Sequence, residues 1–200
     1  MVAACASARI RRTQQRCEEF VATLRSDALP RLRPHLAAAP GLSFEPVQFG
    51  FAPIDPHGGP QPCWLAALMP AGWQETPADV PPDRAPPGRT LSSDAGRSTF
   101  TIEWLPGTFA ADAWPAFIDE TWLAPRRHAP VERDEASDRS HVLVTREDDA
   151  LRLLMLRWHP PQPGYIRCEA RLAGEYAQAL SAFEAACSTA FSLWWEAPNP

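Results

Sequence analysis

Asp55, Pro56 and His57 form the most enzyme-like local set in the chain. A histidine beside a carboxylate suits general acid–base catalysis, because the carboxylate orients the imidazole and stabilises its charged form. A histidine between a proline and Gly58, however, is typical of a turn. His57 is therefore the candidate base of a small hydrolase of unknown class, which is the third of three functional hypotheses.

Other catalytic and metal-binding patterns are missing from the sequence. It contains no G-x-S-x-G, no H-E-x-x-H and no G-x-G-x-x-G. The remaining histidines lack the spacing of metal ligands: His35, His128, His141 and His159. All 19 basic residues are arginine, which excludes Schiff-base lysine chemistry and a P-loop lysine. We therefore predict a protein that is not an enzyme and uses no metal or cofactor.

The five cysteines, an odd number with no C-x-x-C pair, also argue against a zinc site. Cys17 and Cys187 lie on apolar helical stripes and Cys168 on a strand face, which favours small buried side chains. In an oxidising compartment, these three cysteines and Cys63 could instead form two disulfide bridges.

Cys5 is a candidate lipidation site. The sequence VAACAS around it resembles the lipobox of bacterial lipoproteins, but the charged and apolar regions that precede a lipobox are missing. No apolar run approaches the roughly 18–20 residues of a spanning helix. As written, the chain is predicted to be cytoplasmic. A start codon further upstream would make it a periplasmic lipoprotein anchored to the membrane through Cys5.

Length and composition indicate one globular domain that binds protein. The chain has 200 residues, of which 45% are apolar and 22% charged, enough to bury a core. Its net charge of −5 gives no long-range attraction for nucleic acid or an anionic membrane. Eight tryptophans exceed the needs of one core, and tryptophan and arginine are enriched at interface hot spots.

Hydrophobic periodicity predicts the elements that position these residues. An amphipathic helix over 8–29, ended or kinked at Pro30 and Pro34, belongs to an Arg-rich arm over 1–40. Residues 41–200 are predicted to form a single domain. Strands are predicted over 42–51, 63–69, 98–105, 141–145, 151–158 and 165–172. Helices are predicted after a capping Asp112 and over 175–195, and the proline-rich residues 70–97 are predicted to form a long irregular loop.

Short turns between successive strands require antiparallel pairing, so the predicted fold class is α+β. We expect a sheet of about five to six strands, covered by a long C-terminal helix, a short middle helix and the N-terminal helical arm. Glu103 and Glu169 would be paired carboxylates on neighbouring strands. Because Arg152, Arg167 and Arg171 interleave with them, an exposed ladder of ion pairs is the favoured interpretation.

Five side chains are candidate partner-binding residues. Trp73 lies near the start of the predicted loop and Trp195 beyond the apolar stripe of the last helix, where each is placed to be an exposed anchor. Arg152, Arg167 and Arg171 complete the set, because they are expected on strand faces turned away from the core.

Two further stretches carry a likeness to a known family. Met69-Pro70-Ala71-Gly72-Trp73 is similar to an opening P-x-x-W stretch, and Phe183 with Cys187-Ser188-Thr189-Ala190-Phe191 is similar to a terminal F…S-F helix. Over residues 61–192 the chain thus resembles the PsbP-like and DcrB-like superfamily of small α/β/α sandwiches. The resemblance implies a non-enzymatic binding protein, such as an envelope lipoprotein, a photosystem accessory subunit or a chaperone for apolar helices of type VI secretion effectors.

We therefore predict a bacterial adaptor or chaperone that binds an apolar helical segment of another protein, such as a type VI secretion effector. The alternative is an envelope lipoprotein, or an immunity or accessory protein, of the same fold with Cys5 lipidated. In both cases the partner is a protein and not nucleic acid, the chain has no transmembrane span, and it is also a candidate homodimer.

Overall fold

The computed structural model describes residues 14–37, 39–50, 64–77, 88–93, 96–107, 109–110, 112–158 and 164–193. Within these ranges the fold is α+β, as predicted: two antiparallel sheets combine with three helical segments. The described residues form ten strands, more than the five to six expected. None of the described helices is long and apolar enough to cross a membrane.

The ten strands divide between a large and a small sheet. They are β1 Phe44–Gly50, β2 Trp64–Pro70, β3 Gln74–Glu75, β4 Gly88–Ser92, β5 Thr99–Leu105, β6 Val131–Ala136, β7 Ser140–Glu147, β8 Ala150–Trp158, β9 Tyr165–Ala173 and β10 Phe191–Leu193. The large sheet has the order β3-β4-β5-β9-β8-β7-β6, and the small sheet has the order β1-β2-β10. Strands β1 and β2 pair in antiparallel orientation.

The first helix, α1, is continuous over 14–36 and does not end at Pro30. A π-helical turn at Leu24–Ala28 precedes the α-helical stretch Leu29–Leu32, and a 3₁₀ turn at Arg33–Leu36 follows. Pro30 lies in the first turn of Leu29–Leu32, just after the wider π-helical turn, so its missing N–H does not break the helix. The described part of the predicted arm thus packs on the domain, with Leu24 and Leu32 in the core.

The second helix, α2, begins at Trp114, runs through Trp114–Ile118 and Asp119–Leu123, and ends with a 3₁₀ turn at Ala124–Arg126. The prediction that Asp112 caps this helix is wrong. The N-cap is Ala113, which makes no side-chain capping hydrogen bond.

The third helix, α3, consists of a 3₁₀ stretch at Gly174–Ala179 and an α-helix at Leu180–Ser188. It does not continue to residue 195, because the next residues leave the helix and form β10 beside β2. The hydroxyl of Thr189 donates a hydrogen bond back to the carbonyl of Ala186 at 2.6 Å and accepts one from the backbone N–H of Leu68 at 3.0 Å. This hydroxyl joins the end of α3 to β2.

The prediction of one irregular loop over 70–97 is also wrong, since β3 and β4 lie inside it. Strand β4 pairs with β5 in antiparallel orientation, and its Leu91 packs against the core. Its first residue, Gly88, lies opposite Glu103 so closely that a Cβ atom there would collide with β5 at Ile102 and Glu103. A glycine at this position therefore permits the close approach of the two strands.

Strand β6 is rich in acidic residues and lies outside the strands predicted from the sequence. It pairs with β7 through a tight turn in which the N–H of Ser137 donates to the carbonyl of Ser140 at 2.8 Å. As a terminal strand of the large sheet, β6 keeps its charges in water, and Arg146 binds Glu132 at 2.6 Å. Acidic residues are compatible with a strand in this position.

The main core lies between the inner face of the large sheet, α1, α3 and the small sheet. Phe183 of α3 is fully buried at its centre, with ring centroids 5.3 Å from Phe44 of β1 and 5.4 Å from Phe100 of β5. Strand β8 is covered on both faces: Leu153 faces this core and Leu154 faces a second one. The second core lies under α2 on the outer face and is mainly aromatic.

The sequence pattern favoured small, independent buried side chains for three of the cysteines. Two of these three are instead bonded to each other. Cys168 of β9 and Cys187 of α3 form a disulfide with a Cα–Cα distance of 5.6 Å. Cys17 is a free buried thiol, as predicted, and burial with nearby Glu18 raises its pKa to about 11. Cys63 and Cys5 lie outside the described residues.

Arg157 of β8 closes the C-terminal end of α3 from the side. One of its terminal nitrogens, Nη1, donates to the carbonyls of Ser188 at 2.5 Å and Ala190 at 3.1 Å, and lies 3.5 Å from that of Cys187. Burial lowers the pKa of Arg157. The guanidinium therefore supplies donors to carbonyls at and just beyond the C-terminal end of the helix.

Replacing Arg157 with methionine keeps the apolar stem and removes these donors. We expect Arg157→Met to lower the free energy of unfolding by about 1–3 kcal/mol, because the partly buried carbonyls lose their hydrogen bonds. Urea unfolding followed by circular dichroism measures the change. Arg157→Lys, which keeps a donor and the charge, should lose less. Equal losses in the two variants would show that the shape of the side chain matters more than its hydrogen bonds.

Candidate functional site

The outer face of the large sheet is covered by α2 over only part of its area. Beyond α2, half-buried polar and charged side chains of β5, β8 and β9 point away from the main core. We call this group, together with the last arginine of α2, the charged face. Its members are Glu103, Arg126, Arg152, Arg167, Glu169 and Arg171.

Strand register brings the charges of this face together. Glu103 of β5 lies opposite Arg167 of β9, and Arg171 of β9 lies opposite Arg152 of β8. The Nε atom of Arg167 is 2.5 Å from a carboxylate oxygen of Glu103. The predicted ladder of ion pairs is therefore present. It is half-buried and not exposed, since the side chain of Glu103 is only 11% accessible.

Glu169 is shared by three arginines. Its carboxylate lies 3.3 Å from Arg126, 3.9 Å from Arg152 and 3.9 Å from Arg167. Arg152 has a second carboxylate partner in Glu147, at 3.1 Å. Three guanidinium groups thus converge on one carboxylate, which places more hydrogen-bond donors there than that carboxylate can accept from.

Trp122 of α2 holds two of these arginines in place. The guanidinium groups of Arg126 and Arg167 lie over its indole ring, 5.3 Å and 4.8 Å from the ring centroid. Its ring N–H donates to the hydroxyl of Tyr165 at 2.9 Å. Cation–π contact and this hydrogen bond fix the indole between α2 and β9, so the two guanidinium groups are pre-positioned.

The electrostatics of the face follow from its burial. Burial raises the pKa of Glu103, opposed by Arg167 and reinforced by the neighbouring carboxylate of Glu169. Burial likewise raises the pKa of the Tyr165 hydroxyl. The face is positive because it holds four arginines and only two glutamates.

The structure brings the three predicted arginines together on one face, but it places the predicted Trp73 elsewhere. Arg152, Arg167 and Arg171 share the charged face. Trp73 is half-buried on the opposite side of the sheet, with its ring 5.2 Å from that of Tyr176 and 5.6 Å from that of Phe183. It is therefore not a freely exposed anchor.

Other sequence-based candidates lie outside the described residues: Cys5, Asp55, His57 and Trp195. Arg126 and Trp122 were not singled out from the sequence, although they carry the geometry of the face. Their spacing of four residues on a helix, which puts two side chains on one side, was the available signal.

A second polar cluster joins β6, β7 and α2 at the far end of the large sheet. The ring Nε2 of buried His141 lies 2.5 Å from Asp134, which also accepts a hydrogen bond from Arg127 at 3.1 Å. Burial alone would raise the pKa of Asp134, but the hydrogen bonds from His141 and Arg127 outweigh it and leave the pKa lowered. Arg127 also binds Asp119 of α2 at 2.5 Å. The cluster links three elements through charges.

Metal coordination finds no support in the described part of the chain. Within it, no three histidine, cysteine, aspartate or glutamate side chains lie close enough together to hold a metal ion. The charged face is a set of hydrogen-bond donors and acceptors held by ion pairs and cation–π contacts.

Comparison with known proteins finds a distant structural likeness. No family model and no curated protein matches the chain. The chain is similar to Mog1p, the Ran-binding protein of Saccharomyces cerevisiae. The two share 7% sequence identity, the match covers 76% of this chain and 97% of Mog1p, and the TM-score is 0.47. A likeness at this level says nothing about partner or activity.

Proposed function

We propose that this chain is a non-enzymatic protein-binding module and that its partner binds at the charged face. The supporting observation is the fixed cluster of arginines around Trp122 and Glu169 on a partly open sheet face. Arginine and tryptophan dominate the binding energy of many interfaces. Because internal contacts already hold these side chains, ordering them on binding costs little conformational entropy.

The described surface suits a polar partner better than an apolar one. Among the described residues, Val131 is the one large apolar side chain that is exposed, at 46%. An apolar helix would need a wider apolar patch to bind. The finer predictions stay proposals: a bacterial adaptor or chaperone of the PsbP-like and DcrB-like type, cytoplasmic residence, a homodimer, or a lipoprotein with Cys5 lipidated.

Site-specific photocrosslinking tests the location of the interface. A photoreactive phenylalanine analogue replaces Thr101, a half-buried outer-face residue of β5, and in a matched control it replaces Gln15, an exposed residue of α1. We expect a discrete crosslinked species in cells of the source organism from position 101 and none from position 15. Arg171→Glu should abolish this species, because it reverses a charge on the same face.

The same experiment separates the competing possibilities. Crosslinks of equal yield at positions 101 and 15 would be non-specific, and this result would contradict an interface on the charged face. A crosslinked species with twice the mass of the chain would identify the partner as a second copy. Absence of any crosslink from several outer-face positions would contradict the proposal.

A further inference from the structure

The arginines of the charged face carry N–H donors for which the described residues provide no hydrogen-bond acceptor. The Nε atoms of Arg126 and Arg152 are buried, and neither makes a hydrogen bond to another described residue. Their nearest shared acceptor, Glu169, lies 3.3 Å from one guanidinium and 3.9 Å from the other. A buried donor without an acceptor costs free energy, and an incoming acceptor recovers it.

The acceptor that fits this arrangement is a carboxylate. A guanidinium is planar and presents paired N–H groups, which match the two oxygens of a carboxylate in a bidentate contact. Arg152 and Arg171 are the more accessible arginines of the face, with side chains 30% and 36% exposed. Among the three arginines that share Glu169, Arg152 is therefore the one that an incoming ligand meets first.

The shape of the surface and the charge of the whole chain restrict the class of ligand further. A sheet face accommodates an extended segment lying across its strands. The net charge of −5 gives no long-range attraction for a long polyanion such as nucleic acid, so the attraction is local and short in range.

We infer that the charged face binds an extended, carboxylate-rich segment of a partner protein, with Arg126, Arg152 and Arg167 as the groups that receive its Asp and Glu side chains. This inference rests on the proposed function and names the chemistry of the partner. Glu169 is then an internal competitor, since it occupies the same three guanidinium groups in the free protein. Partner carboxylates share or replace its contacts.

Hexaglutamate and hexaglutamine peptides test this inference on the full chain. We expect fluorescence anisotropy to show that labelled hexaglutamate binds at least about tenfold more tightly than hexaglutamine, with an affinity that falls as salt rises. Replacing Arg126 and Arg152 with glutamine should weaken hexaglutamate binding about tenfold or more. Arg25→Gln, on an exposed site of α1, is the matched control and should change nothing.

Glu169→Gln gives the sharpest result. It should strengthen hexaglutamate binding, because it frees three guanidinium groups from their internal carboxylate. A misfolded protein would not bind more tightly, so a gain cannot arise from loss of structure. No gain in Glu169→Gln, or equal binding of the two peptides, would overturn the inference. Displacement of hexaglutamate by millimolar inorganic phosphate but not by acetate would also overturn it, in favour of a phosphate ligand.

Failure of this inference can be distinguished from failure of the proposed function. A crosslink from position 101 without hexaglutamate binding would leave the protein-binding module in place and refute the carboxylate chemistry. Hexaglutamate binding that Arg25→Gln weakens as much as the double arginine variant would show a non-specific charge effect, and this would also refute it.

Discussion

Replacing Cys168 and Cys187 with serine is expected to lower the free energy of unfolding by about 3 kcal/mol. The bridge closes a loop between residues 19 positions apart, and in the loop-entropy model such a cross-link restricts the unfolded chain by about this amount. The measurement is urea unfolding of the oxidised protein, the protein reduced with dithiothreitol and the double variant.

The two forms without the bridge, the reduced protein and the double variant, should unfold at similar urea concentrations, both lower than that of the oxidised protein. Cys17→Ala is the control, since it removes a buried thiol and leaves the bridge intact. Labelling with iodoacetamide before and after reduction, under denaturing conditions, counts the bridged cysteines. An unfolding midpoint that reduction does not move would contradict a stabilising disulfide.

The disulfide also bears on where the protein works. Such bridges persist in oxidising compartments and are rare in the cytosol, where thiols are kept reduced. The oxidation state of Cys168 and Cys187 in protein isolated from cells, with thiols trapped at lysis, therefore discriminates the cytoplasmic prediction from the periplasmic alternative. A reduced pair supports the first, and an oxidised pair supports the second.

Phe183→Ala is expected to destabilise the fold by about 3–5 kcal/mol, a large part of the roughly 5–15 kcal/mol that folded domains possess. The ring is fully buried and contacts aromatic rings from β1 and β5, so its loss leaves a cavity where α3 and the two sheets meet. Chemical denaturation of the purified variant measures the effect.

Phe183→Leu is the matched control. It keeps most of the buried volume and should cost less than about 1.5 kcal/mol. A similar loss from leucine and alanine would show that the aromatic contacts, and not the filled volume, account for the effect. A loss below about 1 kcal/mol from alanine would contradict the central position of Phe183.

The strands with strict alternation could be predicted from the sequence alone. In β9, Ile166 and Cys168 face the core while Arg167 and Glu169 face outward, as their order along the chain indicates. The ion pairs of the charged face follow from the same alternation once β5 and β9 are neighbours. Local pattern was sufficient here because one face of each strand is apolar.

Elements that depend on distant partners could not be predicted in this way. The composition of β6 is that of a solvated loop, and it is a strand only because β7 offers its edge. The alanine-rich pattern of α3 favours a longer helix, but pairing of β10 with β2 competes with it and ends the helix at Ser188. Tertiary hydrogen bonds can thus override the intrinsic secondary-structure propensity of a segment.

Prediction of the candidate site from the sequence meets the same limit. Arg152, Arg167 and Arg171 could be predicted because they belong to strands. Arg126 reaches Glu169 from a separate helix, 43 residues earlier in the chain. Only the docking of α2 on the sheet brings the two together, and no local pattern encodes that contact.

The position of β10 has a consequence for how the protein folds during synthesis. The small sheet joins Leu65 and Ala66 of β2 to Ser192 and Phe191 of β10, so its last strand is supplied more than a hundred residues after its first. Contacts of such long sequence separation slow folding, because a long loop must close before they form. On the ribosome, one edge of β2 stays unpaired until β10 has emerged, and during this interval the nascent protein is exposed to aggregation.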